Sequence, residues 1–275
     1  MEIILTGMVL QTYDVGDFDK MIVILTEYGK ISVRAFGIRF LRNENAAACM
    51  EFAYSEFLVS VRNGMCRLKK AQLIKTVIRP GKSLTQLSLA FYIAEVCLYA
   101  ATDFPIGKDD SRVHDEGLFS CAANALFILS KDDRNILLVK SVFEMRLMAV
   151  LGNSPDMPYC SVCQADCREV GGFTAFHLIN GNLRCANCRK TYLPERTDYA
   201  SERRDDDTVL LSESALSLAM RTVSAPDNKA YAVNIPPELI REFGSFTEKY
   251  LLDQFERSFK SLTYFKEIYS NEPEI

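Results

Sequence analysis

The chain has 275 residues, 48% hydrophobic and 25% charged, with a net charge of −4. That is the composition of a soluble globular protein with room for one large domain or two to three small ones. No apolar run approaches the about 20 residues that span a bilayer, and MEIILTGMVLQTYD has neither the basic start nor the cleavage site of a signal peptide. A cytoplasmic chain without membrane association is expected, and there thiols stay reduced. Its nine cysteines therefore point to metal binding or apolar packing, not to a disulfide framework.

Residues 1–80 read as strands. ILTGMVLQTYD and FDKMIVILTEYG flank a turn at Val15-Gly16-Asp17, and GKISVRAFG follows. Phe57, Val59 and Val61 alternate with Leu58, Ser60 and Arg62, the period of a half-buried strand. Asn63-Gly64 between two such runs is a hairpin signal. About five short strands fit a small closed barrel of the OB type, with a small sandwich as the alternative. This segment holds eleven Lys and Arg against eight Asp and Glu, a balance of +3, leaving −7 for the rest. Taken alone, the net charge argues against nucleic acid; a basic module on an acidic body does not.

OB barrels bind single strands through a basic groove with stacking aromatics. The candidates are Lys30, Arg34, Arg39 and Arg42, interleaved with Phe36 and Phe40, and a second cluster of Arg67, Lys69 and Lys70. Phe36, beside Val33 and Ala35, is expected to be buried. Phe40, in a loop, suits stacking and packing equally. For the basic residues a solvated surface is the competing account.

The period changes after Arg79-Pro80-Gly81. Ser83 is placed to cap a helix with Leu84, Leu87, Phe91, Ala94 and Leu98 along one face. A second helix is expected over 113–130. A third, RNILLVKSVFEMRLMAVLG, follows Asp132-Asp133 and stops at Gly152. Residues 195–208 are charged and read as an exposed linker. Ser212 opens a further helix, and a last one starts near Pro236-Pro237 and runs towards the end of the chain with a kink at Gly244. The expected organisation is α+β and multi-domain. A five-stranded OB-type β-barrel occupies 1–80, an α-helical domain 81–157 and 193–275, and an inserted zinc ribbon or knuckle with four cysteine ligands 158–192.

That insertion carries the strongest chemical signal. Cys160-x-x-Cys163 and Cys185-x-x-Cys188 are two knuckles separated by 21 residues. Each turn aims two thiolates at one ion, and two turns complete a tetrahedron with metal–sulfur distances of about 2.3 Å. Four cysteines fill the coordination of one Zn²⁺ and leave no open position, so the site is structural. Cys167 is the alternative to Cys163 as a ligand, or a free thiol. Arg168, Arg184, Arg189 and Lys190 would offset the charge of the thiolates. Cys49, Cys66, Cys97 and Cys121 are read as small buried hydrophobes.

There is no P-loop, GxGxxG, HExxH or GxSxG, and only two histidines, His114 and His177. No catalytic constellation can be assembled, and the chain is not expected to be an enzyme.

The order of parts resembles the bacterial RecO family of recombination mediators. GMVLQTYDVGDFDKMIVILTEYGKISVRAFGIR is similar to the family's barrel, and FEMRLMAVLGNSPDMPYCSVC to its F-E-L-R-L-L…G-x-x-P…C-x-x-C run, with CANCRK as the returning knuckle. Gly37 to Asn43 departs from the family's Gly-Ala-Arg-Arg-Pro-x-Ser loop, and Val15-Gly16 precedes Asp17 where the family has an acid. The resemblance implies binding of single- and double-stranded DNA, annealing of complementary strands, and loading of a RecA-type recombinase with RecR on strands coated by single-strand-binding protein. It also implies that the helical body docks that protein's acidic C-terminal tail. Lys140 and Arg146 on the third helix are the candidates for that contact, with a buried structural role as the rival account for Arg146. Two other functions compete: an interaction scaffold with a purely structural barrel, and an RNA-binding zinc-ribbon protein.

Overall fold

The computed structural model describes residues 1–78, 81–106, 116–131, 134–191 and 207–271. The chain divides into two compact units, Met1–Arg134 with Phe259–Ile275, and Asn135–Ser258.

The first unit is built on a closed barrel. Its strands are β1 (Glu2–Val15), β2 (Asp19–Thr26), β3 (Gly29–Ala35), β4 (Ala53–Arg62) and β5 (Met65–Thr76), in the order β1-β2-β3-β5-β4. β1 is long enough to serve two neighbours. Its first half pairs with β4 (Gly7 with Ser55) and its second half with β2 (Thr12 with Ile22). Gly7 lies at that corner, where a Cβ would come within 2.5 Å of the Leu25 carbonyl oxygen, so the turn of the barrel wall requires glycine. The β4–β5 turn holds Asn63 at φ 50° and Gly64 at φ 75°, the left-handed pair that an Asn-Gly hairpin needs. A parallel pair, Arg34 with Arg67, closes β3 against β5. Inward residues such as Val9, Ile22, Ile24, Val33, Phe57 and Val59 fill the interior.

Helices α1 (Leu84–Ala100) and α2 (Glu116–Leu129) belong to this unit, as does α9 (Lys260–Asn271). Ser83 opens α1 as expected. Its Oγ accepts from the Gln86 N–H while Gln86 Oε1 accepts from the Ser83 N–H, both at 3.1 Å. The face differs from the expected one. Leu84 is 60% exposed and Phe91 lies at the margin, while Leu89, Tyr92, Ile93 and Val96 are fully buried. Helix α1 is enclosed on most sides, so its amphipathic period is weak and a single stripe misplaces its core.

The second unit contains α3 (Ile136–Val150), α4 (Cys167–Val170), β6 (Thr174–His177), β7 (Asn182–Arg184), α5 (Ala186–Thr191), β8 (Thr208–Leu211), α6 (Glu213–Ser224), α7 (Asp227–Ala230) and α8 (Pro237–Gln254). Asn135 caps α3 by accepting from the Leu138 N–H, and Gly152 at φ 82° ends its last turn. Strands β7-β6-β8 form a small sheet. Thr208, expected at the end of the linker, instead starts a strand paired with His177; residues 195–206 of that linker lie outside the described residues. Phe176 on β6 packs edge-on against Phe246 and Tyr250 of α8, at 4.8 and 5.1 Å between ring centres. The expected kink at Gly244 is absent. Gly244 lies inside α8, where a Cβ would come 3.0 Å from Ser141 Oγ on α3. The chain breaks later, at Phe255 to Phe259, with Glu256 at φ 49°, so the last expected helix is two helices.

Candidate nucleic-acid interface and metal centre

At the β3–β5 seam a single carboxylate organises the surface. Asp19 accepts from the Gly37 N–H at 2.8 Å and from Arg34 Nη2 and Nε at 2.9 and 3.2 Å. The Gly37 hydrogen bond, then Arg34, hold its pKa below the ordinary carboxylate value. Fixed in this way, the Arg34 guanidinium lies 4.8 Å from the centre of the Phe36 ring, and Arg67 lies 5.4 Å from the same ring. Phe36 is 47% exposed, not buried as expected. It follows the last residue of β3, where the strand's alternation no longer decides which way a side chain faces. A flat ring flanked by two guanidinium groups offers a stacking surface with phosphate-binding charge beside it.

The next loop is stapled to the β1–β2 turn. Arg39 N–H donates to the Phe18 carbonyl at 3.0 Å, and Asn43 Nδ2 donates to the Gly37 carbonyl at 2.9 Å. Phe40 stacks on Phe18 with ring centres 4.5 Å apart and 17° between planes, and both rings stay about half exposed. Phe18 is a functional candidate that sequence reasoning missed; its neighbour Gly16 marks only a turn. Arg39 forms an exposed ion pair with Asp14 at 3.3 Å. Arg42 is exposed, with no ion pair among the described residues. Arg34, Arg67, Arg39, Phe40 and Arg42 are therefore brought to the seam and its adjoining loop.

Lys30 is not. Its Nζ donates to the Leu98 carbonyl at 2.7 Å, capping the C-terminal turn of α1 inside the first unit. Lys69 and Lys70 are consecutive on β5, yet both are exposed. A register shift opposite Leu58 and Val59 explains this: Lys70 pairs with Leu58 and Leu68 with Val59, leaving Lys69 as the bulged residue.

In the second unit the knuckles converge. The Sγ atoms of Cys160, Cys163, Cys185 and Cys188 all lie within 4.8 Å of one another, an arrangement able to hold a metal ion. Cys163 and Cys185 Sγ are 3.8 Å apart, the edge of a tetrahedron with metal–sulfur bonds of about 2.3 Å. The first knuckle is a turn closed by Gln164 N–H on the Cys160 carbonyl, with Gln164 at φ 60°. The second is the start of α5, where Cys188 N–H donates to Cys185 Sγ at 3.5 Å. Ser161 bonds the Leu183 carbonyl through both its N–H and its Oγ, fixing one knuckle on the other. Burial raises the pKa of the Cys160 thiol, but N–H groups of Cys163, Cys185 and Val162 outweigh it and hold the value at about 6. Cys167 stands outside the set. It is buried, its thiol pushed up to about 12 mainly by burial. His177 faces Thr208 Oγ1 at 3.3 Å and is not in the cluster; His114 lies outside the described residues.

Of the expected docking pair on α3, Lys140 requires correction. Lys140 is 3% exposed, with its Nζ 2.8 Å from both Glu144 Oε1 and Glu248 Oε2. Burial disfavours its charge, but the two carboxylates outweigh burial and raise its pKa. A lysine so enclosed presents no ammonium to a partner. Arg146 donates Nη1 to the Thr222 and Ala225 carbonyls at 3.0 and 2.7 Å, capping the end of α6. The four cysteines read as hydrophobes, Cys49, Cys66, Cys97 and Cys121, are all buried. Among the described residues no helix is long and apolar enough to cross a membrane.

Residues 1–77 match the family model described as Recombination protein O N terminal, and residues 82–182 the one described as Recombination protein O C terminal. Among similar proteins, the DNA repair protein RecO of Acetivibrio thermocellus is 22% identical over 262 residues, 95% of each chain. That of Symbiobacterium thermophilum is 24% identical over 256 residues, 93% of each. That of Bacillus pumilus is 26% identical over 184 residues, 66% of each.

Proposed function

The chain belongs to the RecO family, and on that premise we propose that it is a non-enzymatic recombination mediator whose barrel binds DNA. The observation that carries the reading is the exposed Phe36 ring set between Arg34 and Arg67 at the barrel seam. OB barrels hold single strands by stacking bases on aromatic rings while cations follow the phosphates, and both parts are present within one short segment. Phe40 on Phe18, flanked by Arg39 and Arg42, supplies a second aromatic surface beside the first. No bond need be made or broken for this work; phosphate neutralisation, stacking and exchange of partners suffice. Binding of duplex DNA, annealing of complementary strands, loading of a RecA-type recombinase, and partnership with RecR and the single-strand-binding protein tail rest on family membership. Lys140 has no part in the tail contact as we read it.

The four cysteines are proposed to hold one structural Zn²⁺. Four thiolates suit a borderline-soft ion and leave no position for substrate, so the metal would serve the fold.

The test is a fluorescence-anisotropy titration of labelled single-stranded DNA at several salt concentrations. Log affinity is expected to fall linearly with log salt, and Arg42→Ala with Arg67→Ala to lower the slope by about 0.7 per cation removed. Binding that ignores salt, or a wild-type chain that binds nothing at low salt, would return the barrel to a purely structural role. Stronger binding of RNA than of DNA at equal length would favour the zinc-ribbon RNA reading instead.

A further inference from the structure

Strand β5 carries more than the seam uses. From Met65 to Thr76 it holds Arg67, Lys69, Lys70 and Lys75 and no acidic residue. None of the four has a carboxylate partner among the described residues, whereas Lys20, Arg34 and Arg39 each face an aspartate. β3 meets β5 at one registered pair, Arg34 with Arg67, and beyond it no strand among the described residues pairs with β5 on that side. Residues Gln72 to Lys75 are exposed in succession, both faces of the strand being open.

The strand ends on a second aromatic. Lys75 Nζ lies 4.1 Å from the centre of the Phe127 ring on α2, and Lys131 Nζ lies 4.9 Å from the same ring. Phe127 is 38% exposed. β5 thus runs between two rings, each attended by two cations: Phe36 with Arg34 and Arg67, and Phe127 with Lys75 and Lys131. Lys75 is eight residue steps along the strand from Arg67, about 25 Å. Two ammonium groups gathered on one open ring, with no carboxylate paired to either among the described residues, leave a positive site that an anion would complete.

We propose that β5 is a phosphate track and that Phe127, with Lys75 and Lys131, is a second base-stacking site for single-stranded DNA, carrying the contact from the barrel onto α2. The proposal rests on the DNA-binding reading of the barrel and extends its length. A strand engaged at both rings spans the whole of β5, and a strand too short to reach Phe127 feels only the seam.

The test compares oligothymidines of about 4 and about 16 nucleotides, the range covered by one OB barrel. Full-length wild type, Phe36→Ala, Phe127→Ala and Lys75→Gln/Lys131→Gln are titrated with each. Phe127→Ala is expected to weaken the long oligonucleotide about ten-fold and leave the short one within about two-fold. The lysine pair, which leaves the ring in place, is expected to reduce the salt slope for the long oligonucleotide alone. If Phe36→Ala weakens binding while the Phe127 and lysine variants bind the long strand as wild type does, the second site is wrong and the seam reading stands. If wild type binds neither length, both fall.

Discussion

Lys140 shows what one residue in a sequence can say and how it can be misread. It sits in an α3 segment that is apolar on all sides, with Leu138, Val139, Val142 and Phe143 around it and Glu144 one turn on. A lysine there, four residues before a glutamate, is the signature of a buried pair, since a helix without a polar face has no surface on which to display a charge. The missing partner was Glu248, about a hundred residues away on α8, which no local pattern predicts. Glu144 also accepts from Thr247 Oγ1 at 2.8 Å. Lys140→Ala would remove the ammonium that Glu144 and Glu248 share. It is expected to cost about 3–5 kcal/mol, read as a lowered urea midpoint. Replacing the three charged residues together with apolar ones of similar volume should cost much less. The pH dependence has a fixed sign. The folded pKa lies above the ordinary 10.5, so the contribution is fully present through the neutral range and lost as pH climbs past the raised value.

At the scale of elements, the barrel and the helix starts were legible because each depends on local chemistry. Asn63-Gly64 specifies its turn, Ser83 with Gln86 its cap, and alternation along β4 its inner face. Helix ends and buried helix faces were less so. The break at Glu256 lies in ordinary helix-forming sequence, and Gly244, which reads as a breaker, is kept by close packing against α3. Strand β8 follows a charged run and is defined only by its partner β6. Gly7 is the reverse case, a glycine whose necessity appears only when the barrel closes. Its missing Cβ would fall 2.5 Å from a backbone oxygen and 2.6 Å from Ile24 Cγ2, and a closed wall cannot move aside as an open sheet edge would. Gly7→Ala is expected to destabilise by about 1–3 kcal/mol, seen as a lower melting temperature. An unchanged melt would mean that the corner opens more easily than this packing allows.

For the whole molecule, the residues proposed to contact DNA all lie in Met1–Arg134, and the four knuckle cysteines all lie in Asn135–Ser258. The cysteine spacing made the four-cysteine cluster legible at once, since two CxxC turns offer a complete set of four ligands; the proposed DNA surface was legible only as a cluster of charge, because which cations are already committed, as Lys30 is, depends on the fold. Arg168, Arg184, Arg189 and Lys190 remain near the knuckles, and Arg168 is paired with Asp166. Two roles for these residues can be separated. If they offset thiolate charge, the metal belongs to the stability of its own unit and not to DNA binding. Metal analysis is then expected to give about one Zn²⁺ per chain. Stripping it with a chelator, or Cys160→Ser, is expected to lower the melting of the second unit, where burial of Phe176 against Phe246 and Tyr250 depends on the held hairpin. Single-strand affinity at low salt should stay within about two-fold of the metal-loaded protein, since none of its proposed contacts lies in that unit. A parallel loss of DNA binding and metal would instead make the knuckles part of the DNA surface, and would assign their basic residues to phosphates.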